Sequence, residues 1–282
     1  MNKVIYDVVI VGAGLTGLQV ALQAKKADTS IKYLVLEHEK QAGGYFSRLF
    51  KNNNFLEENE LLNQAEKADL NIRYSATVLG VTTKDNFHQL KVQTSEGLQE
   101  LKAEKIILCT GALEKPRESL QIPGSRPAGI MTSKMVLGLL ERGYLPGSNV
   151  VVFNHDKFTD ETTKLLRENG AVAEQFNSAS TKLKKIYGNS RLESIDIVNK
   201  NTKQIINIPC DTLVYSKGYI PATFYLDESG IHSDDNGFIK INEWSESNVP
   251  NIYALGICTT LFASFNLFSK ETKKVIEEML DK

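Results

Sequence analysis

V-V-I-V-G-A-G-L-T-G, residues 8–17, and L-V-L-E, residues 34–37, decide how the rest of the chain is read. The unbroken apolar run has the pattern of a strand buried on both faces, and glycines at the G-x-G-x-x-G spacing follow it at once. Gly12 permits a tight turn out of the strand. Gly14 lets the backbone approach a pyrophosphate, and Gly17 lets the next helix, expected over residues 18–25, pack close to the sheet. That helix start, with Leu15 and Thr16, offers free N–H groups and a positive dipole end to phosphates. Glu37 ends the second strand 20 residues after Gly17, where a carboxylate accepts hydrogen bonds from ribose hydroxyls. The same acid would repel a 2′-phosphate, so the pattern predicts a site for FAD or NAD rather than NADP.

The composition frames that site. A chain of 282 residues, 41% of them hydrophobic, holds one large or two modest domains with real cores. Its 33 basic and 34 acidic residues leave a formal net charge of −1, with no basic stripe for nucleic acid or an anionic membrane. The first strand starts close to Met1, leaving no room for a removable secretory signal, and no apolar run approaches the ~20 residues of a membrane span. The expected location is the cytoplasm. The three cysteines, Cys109, Cys210 and Cys258, are widely spaced and form no C-x-x-C. That argues against a disulfide framework, a zinc site or a dithiol of neighbouring cysteines, and for buried apolar packing.

Further along, Gly43 and Gly44 follow Glu37 by a few residues, either as a plain turn or as a place where backbone comes close to a cofactor. Residues 51–63 are polar and lead to a short helix ending near Ala68; residues 71–81 are expected as one strand. A hairpin is predicted over residues 88–95 and 98–101, and a separate buried strand over residues 103–111, ending in T-G.

In order, G-A-G-L-T-G, A-T-V-L-G-V (residues 76–81), I-I-L-C-T-G-A-L-E-K-P-R (106–117) and I-P-G-S-R-P-A-G-I-M-T-S (122–133) resemble the pyridine nucleotide-disulfide oxidoreductase superfamily. The similarity resumes at G-Y-L-P-G (143–147), C-D-T-L-V-Y-S-K-G-Y-I-P (210–221) and V-P-N-I-Y-A-L-G (249–256), and so covers most of the chain. Within the superfamily it is similar to the group lacking the redox disulfide. That group includes flavoprotein subunits of sarcosine oxidase, opine and proline dehydrogenases and hydrogen cyanide synthase, and NAD(P)/FAD oxidoreductases associated with glycerol-3-phosphate dehydrogenases.

The resemblance implies an α/β fold of two Rossmann-like dinucleotide-binding domains, thioredoxin reductase-like, with the second inserted into the first and reduced. An FAD-binding domain would take residues 1–115 and 218–282, and a degenerate NAD(P)-binding-like domain residues 116–217. It further implies FAD on Gly12, Gly14 and Gly17, with Glu37 at the adenosine ribose, Val78 at the adenine through its backbone, and Thr110 and Gly111 at the near side. His38 borders the adenosine pocket. Gly256 matches the glycine of a late motif whose next residue is normally an acid toward the ribityl or phosphate part of FAD. Here that residue is Ile257.

The middle segment departs further. Residues 149–176 have the strand, helix and strand of a second dinucleotide unit, but the turn at residues 154–160 has no glycine and carries Asp156 and Asp160, which argues against NADH in the usual manner. No acid or arginine ends the next strand. The chain then passes to a predicted hairpin over residues 182–199, where the family has a further strand and helix. Paired strands are expected over residues 205–217, a short strand over 237–242, a buried one over 251–255 and a terminal helix over about 269–280, with Val275, Ile276, Met279 and Leu280 at helical spacing.

Candidate catalytic residues are Lys115 and Arg117, beside the flavin in related proteins and either charge-stabilising or merely solvated, and Cys258, next to the late glycine. His155 and His232 fit no metal or triad arrangement. The expected activity is that of an FAD-dependent oxidoreductase taking electrons from a small-molecule substrate or a partner dehydrogenase subunit, with a homo-oligomer possible. A flavoprotein-derived scaffold or a nucleotide-binding subunit without redox chemistry is the competing reading.

Overall fold

The computed structural model describes residues 5–27, 31–51, 53–84, 87–116, 119, 121–154, 156–261, 267, 273, 276–278 and 280. The chain divides into two compact units, one built from residues 1–113 and 220–282 and the other from residues 114–219.

In the first unit, β1 (Ile5–Val11) runs into α1 (Leu15–Ala27) and β2 (Tyr33–Leu36), followed by α2 (Leu56–Lys67), β3 (Ile72–Arg73), β4 (Thr77–Lys84), β5 (Phe87–Thr94) and β6 (Gly97–Leu108). β1 lies between β2 and β6, parallel to both. Its apolar run is continuous because both faces are covered: Val8 and Ile10 pack with Leu18 and Ala21 of α1, while Val9 and Val11 pack with Val81, Leu90 and Val92. The carboxyl end of β1, where its neighbours lead off to opposite sides, is the crevice at which open α/β sheets bind ligands.

Two local expectations differ from this. The single strand over residues 71–81 is broken, because β3 pairs with β2 and β4 with β5 at opposite ends of the strand order, with Ser75 at φ +52° between them. Conversely, the hairpin arm and the buried strand are one element. β6 pairs antiparallel with β5 through Ala103 and parallel with β1 from Lys102 onward, changing partners without a break.

The chain leaves the first unit through β7 (Ala112–Glu114). The second unit contains β8 (Ile130–Met131), α3 (Ser133–Glu141), β9 (Asn149–Phe153), α4 (Lys157–Glu168) and β10 (Val172–Phe176), then β11 (Thr181–Gly188), β12 (Leu192–Asn199), β13 (Ile205–Pro209) and β14 (Thr212–Tyr215). β10, β9, β14 and β8 form a parallel sheet in that order, and β11, β12 and β13 an antiparallel one. Val150 and Val152 face α3 and α4, whereas Val151 and Phe153 face the antiparallel sheet. β10 passes through residues 177–180 directly into β11. The strands over residues 205–217 are not paired with each other: β13 pairs with β12, and β14 with β9 and β8.

The return is through β15 (Tyr219–Pro221), paired with β7, and ends in β16 (Ile252–Ala254), parallel to β6. In place of a strand over residues 237–242, Ile239 makes only isolated bridges, to Ser233 and Thr259. Of the terminal helix, Ile276 and Leu280 are helical and buried against the α1 side of the first sheet. Val275, Met279 and residues 269–272 lie outside the described residues. Among the described residues no helix is long and apolar enough to cross a membrane.

Candidate dinucleotide site

The turn after β1 is held so closely that side chains are excluded. Gly12 has φ +102°, its N–H donates to the Leu36 carbonyl (2.8 Å), and a Cβ there would stand 2.5 Å from the Cys109 carbonyl oxygen. A Cβ on Gly17 would stand 1.9 Å from the Gly12 carbonyl oxygen. The first turn of α1, from Leu15 and Thr16, carries no acidic residue, so no side chain of that turn competes for the dipole end.

The glycine pair left open by the sequence belongs to this turn. The Gly43 N–H donates to the Ala13 carbonyl (2.8 Å), and a Cβ on Gly44 would stand 3.1 Å from the Cα of Gly14. Gly256 approaches from the other side of the chain, where a Cβ would stand 2.8 Å from Thr16 Oγ1. The early and late glycine motifs therefore meet at the start of α1. Ile257 follows with 42% of its surface exposed, an apolar side chain next to that glycine.

Glu37 is only 4% exposed. Its Oε2 accepts from the Ala13 N–H (2.7 Å) and its Oε1 from the Glu39 N–H (2.9 Å), with His38 Nδ1 also 2.9 Å from Oε1. Burial alone would raise this carboxyl; the bonds from His38, Glu39 and Ala13 outweigh it and hold the group below its ordinary value of 4.5. Sequence reasoning placed the acid but missed Ala13, which has no side-chain signature for a backbone donor. The Glu37 carbonyl accepts from the Ala76 N–H (2.9 Å), bringing the A-T-V segment beside the acid. Val78 itself is buried in the core, paired with Val92 at an irregularity in β4.

Thr110 and Gly111 follow β6 at the same end of the sheet. Gly111 has φ +65° and open space where a Cβ would be. The hydroxyls of Thr110 and Tyr225 are both buried, and among the described residues neither meets a hydrogen-bond partner at full geometry, a polar pair that Tyr225 gave no sequence reason to expect. Cys258 is wholly buried, its Sγ donating to the Leu255 carbonyl (3.3 Å), and burial pushes the thiol up. Burial also raises Cys109, and with Asp211 nearby it raises Cys210 to about 12. All three are neutral thiols at pH 7. A disulfide-exchange reagent is expected to leave the folded protein unmodified and to titrate three thiols after denaturation; rapid labelling of a native thiol would contradict this burial.

In the second unit, the Lys115 N–H donates to the Gly218 carbonyl (3.0 Å) and its side-chain stem packs over Gly218. Arg117 and His155 lie outside the described residues. Asn154, at the position after β9 that Gly12 holds after β1, has φ +149°. Asp156 caps α4: its Oδ1 accepts from the Phe158 N–H (3.0 Å) and the Thr159 N–H (2.9 Å), and its own N–H donates to Thr159 Oγ1 (2.9 Å). The D-x-x-T spacing was a legible signal for this cap.

A model of the pyridine nucleotide-disulphide oxidoreductase family matches residues 6–152 and 147–278. The chain belongs to that family. Its relatives include a thioredoxin reductase of Mycoplasmopsis pulmonis, 25% identical over 90% of this chain and 89% of the other. A ferredoxin–NADP reductase of Picrophilus torridus is also 25% identical, over 89% of this chain and 85% of the other. The thioredoxin reductase of T. acidophilum superposes with a TM-score of 0.67 at 17% identity, covering 98% of this chain and 96% of that one, and so shares the two-domain Rossmann fold. Members of the family bind FAD, and the chain is an FAD-dependent oxidoreductase. The glycine cradle, which any Cβ at Gly12 or Gly17 would fill, fits that cofactor.

Proposed function

We propose that FAD sits on the turn from Gly12 to Gly17 and that its electrons come from a small-molecule substrate or a partner dehydrogenase subunit rather than from NADH. One contrast carries this reading. The chain contains two strand–turn–helix units of the same shape, and it treats their helix starts oppositely. In the first, glycines clear the backbone and no acid stands in the opening turn. In the second, Asp156 occupies the N–H groups and Asp160 adds a further charge in the same turn.

The residues divide the work by position. Gly12, Gly14 and Gly17 admit the pyrophosphate to the α1 dipole, and Glu37, already ionised and oriented by Ala13 and Glu39, accepts from the adenosine ribose. The backbone around Val78 borders the adenine. Gly256 admits the far side of the cofactor against Thr16, while Ile257 contributes contact but no hydrogen bond. Bound FAD supplies the electron-accepting ring; the protein supplies position, electrostatics and exclusion of water. On this reading residues 1–115 and 218–282 form the FAD-binding domain and residues 116–217 a degenerate nicotinamide-dinucleotide domain.

Protein expressed with ample riboflavin is expected to carry near-stoichiometric flavin by its visible spectrum. Rapid mixing with NADH is expected to leave that spectrum oxidised on the timescale of turnover. Fast bleaching with hyperbolic dependence on NADH would overturn the electron route, and a colourless protein that takes up no added FAD would overturn the cofactor assignment.

A further inference from the structure

The turn at residues 154–160 does more than lack glycines. Asp156 Oδ1 accepts from the same two N–H groups at the start of α4 that a phosphate on a helix N-terminus would use, and Oδ2 accepts from Asn154 Nδ2 (2.9 Å). Asn154 is fixed in turn: its side-chain Oδ1 accepts from Ser178 Oγ (3.0 Å) and its carbonyl from Gln175 Nε2 (3.0 Å). Gln175 Nε2 also donates to Asp160 Oδ1 (2.8 Å). Gln175 lies in β10, whose end is where a ribose-reading residue would stand, so that place is also turned inward onto the chain's own turn.

The other helix start in this unit repeats the arrangement. Glu114, 6% exposed, accepts the Lys134 N–H at the first turn of α3 (3.0 Å). Burial first, and then the negative charges of Asp156 and Glu114, push the Tyr219 hydroxyl up to about 12. Both helix starts of the unit thus hold an internal carboxylate, and a dinucleotide phosphate would have to displace one against like charge.

We infer that Asp156 is the specificity-determining residue of the second unit: a built-in carboxylate that fills the phosphate seat and, with Asp160 behind it, excludes pyridine dinucleotides. This rests on the proposed electron route and assigns that route to a residue.

The test uses Asp156→Ser, which keeps an uncharged cap on α4, and the double variant Asp156→Ser/Asp160→Ser. FAD-loaded protein is titrated calorimetrically with ADP-ribose, which carries the pyrophosphate and both riboses without redox chemistry. The expected result is no measurable binding by wild type and a gain of roughly tenfold or more in the double variant, with ADP-ribose raising the variant's thermal midpoint. A folded double variant that binds no better than wild type overturns the inference and leaves the electron route standing. Wild type that binds tightly beyond its FAD site overturns both. Failure to load FAD overturns the cofactor assignment alone, since the variant-minus-wild-type difference is read on the apo chain as well. If the double variant does not fold, Asp156→Ser alone gives the same comparison.

Discussion

Replacing Gly17 with alanine is expected to abolish FAD retention and to lower folding stability by about 2–3 kcal/mol, the range in which overpacking against an unyielding neighbour falls. The new Cβ would stand 1.9 Å from the Gly12 carbonyl oxygen and 3.0 Å from its carbon, both backbone atoms. Gly12 has no room to give way, because its N–H is tied to Leu36 and its Cα lies against Cys109. The start of α1 must therefore move off the turn, taking Thr16 from Gly256 and the helix dipole from the phosphate seat. Gly80→Ala is the control. Nothing lies within 4 Å of a Cβ there, and stability is expected to change by no more than about 1 kcal/mol. Urea denaturation and flavin absorbance after dialysis read both effects. A Gly17→Ala protein with wild-type midpoint and full flavin content would show that the close approach is not needed.

The glycine turn was legible in the sequence because backbone contact at van der Waals distance leaves no choice of residue. The helix cap at Asp156 has its own signal in the D-x-x-T spacing of D-K-F-T, which a search for glycines passes over. What the sequence did not convey was how that turn is held. Gln175 and Ser178 lie about two dozen residues downstream, and an amide and a hydroxyl read equally well as surface residues until the fold brings them to Asn154. The strand errors have one cause. Periodicity reports which faces are covered, not which neighbour covers them, so it divides β6 where that strand changes partner and joins residues 71–81 across the switch from β2 to β5 at Ser75. Residues 205–217 were assigned to one pair of strands for the same reason, although β13 and β14 belong to different sheets.

Glu37→Gln is expected to cost about 2–3 kcal/mol of stability at neutral pH, in the range of a charge-assisted hydrogen bond plus a buried donor left unsatisfied. An amide oxygen can still accept from one backbone N–H, but its NH2 group then faces the other. Ala13 and Glu39 both donate to the carboxylate, so one donor meets a donor. The pH dependence separates this from loss of packing. Because the folded protein holds Glu37 below its ordinary 4.5, the native state binds the proton more weakly than the unfolded chain. The ionised group's stabilisation is complete above that ordinary value and disappears as pH falls through the lower folded value. Urea midpoints of wild type and Glu37→Gln should therefore be well separated at pH 7 and converge in acid, with wild type losing the greater part. Parallel curves down to pH 3 would mean that the carboxylate's charge contributes nothing to the fold. The same variant is expected to release FAD more readily at neutral pH. If it instead keeps wild-type affinity while losing stability, Glu37 serves the glycine turn alone and the ribose is held by other groups.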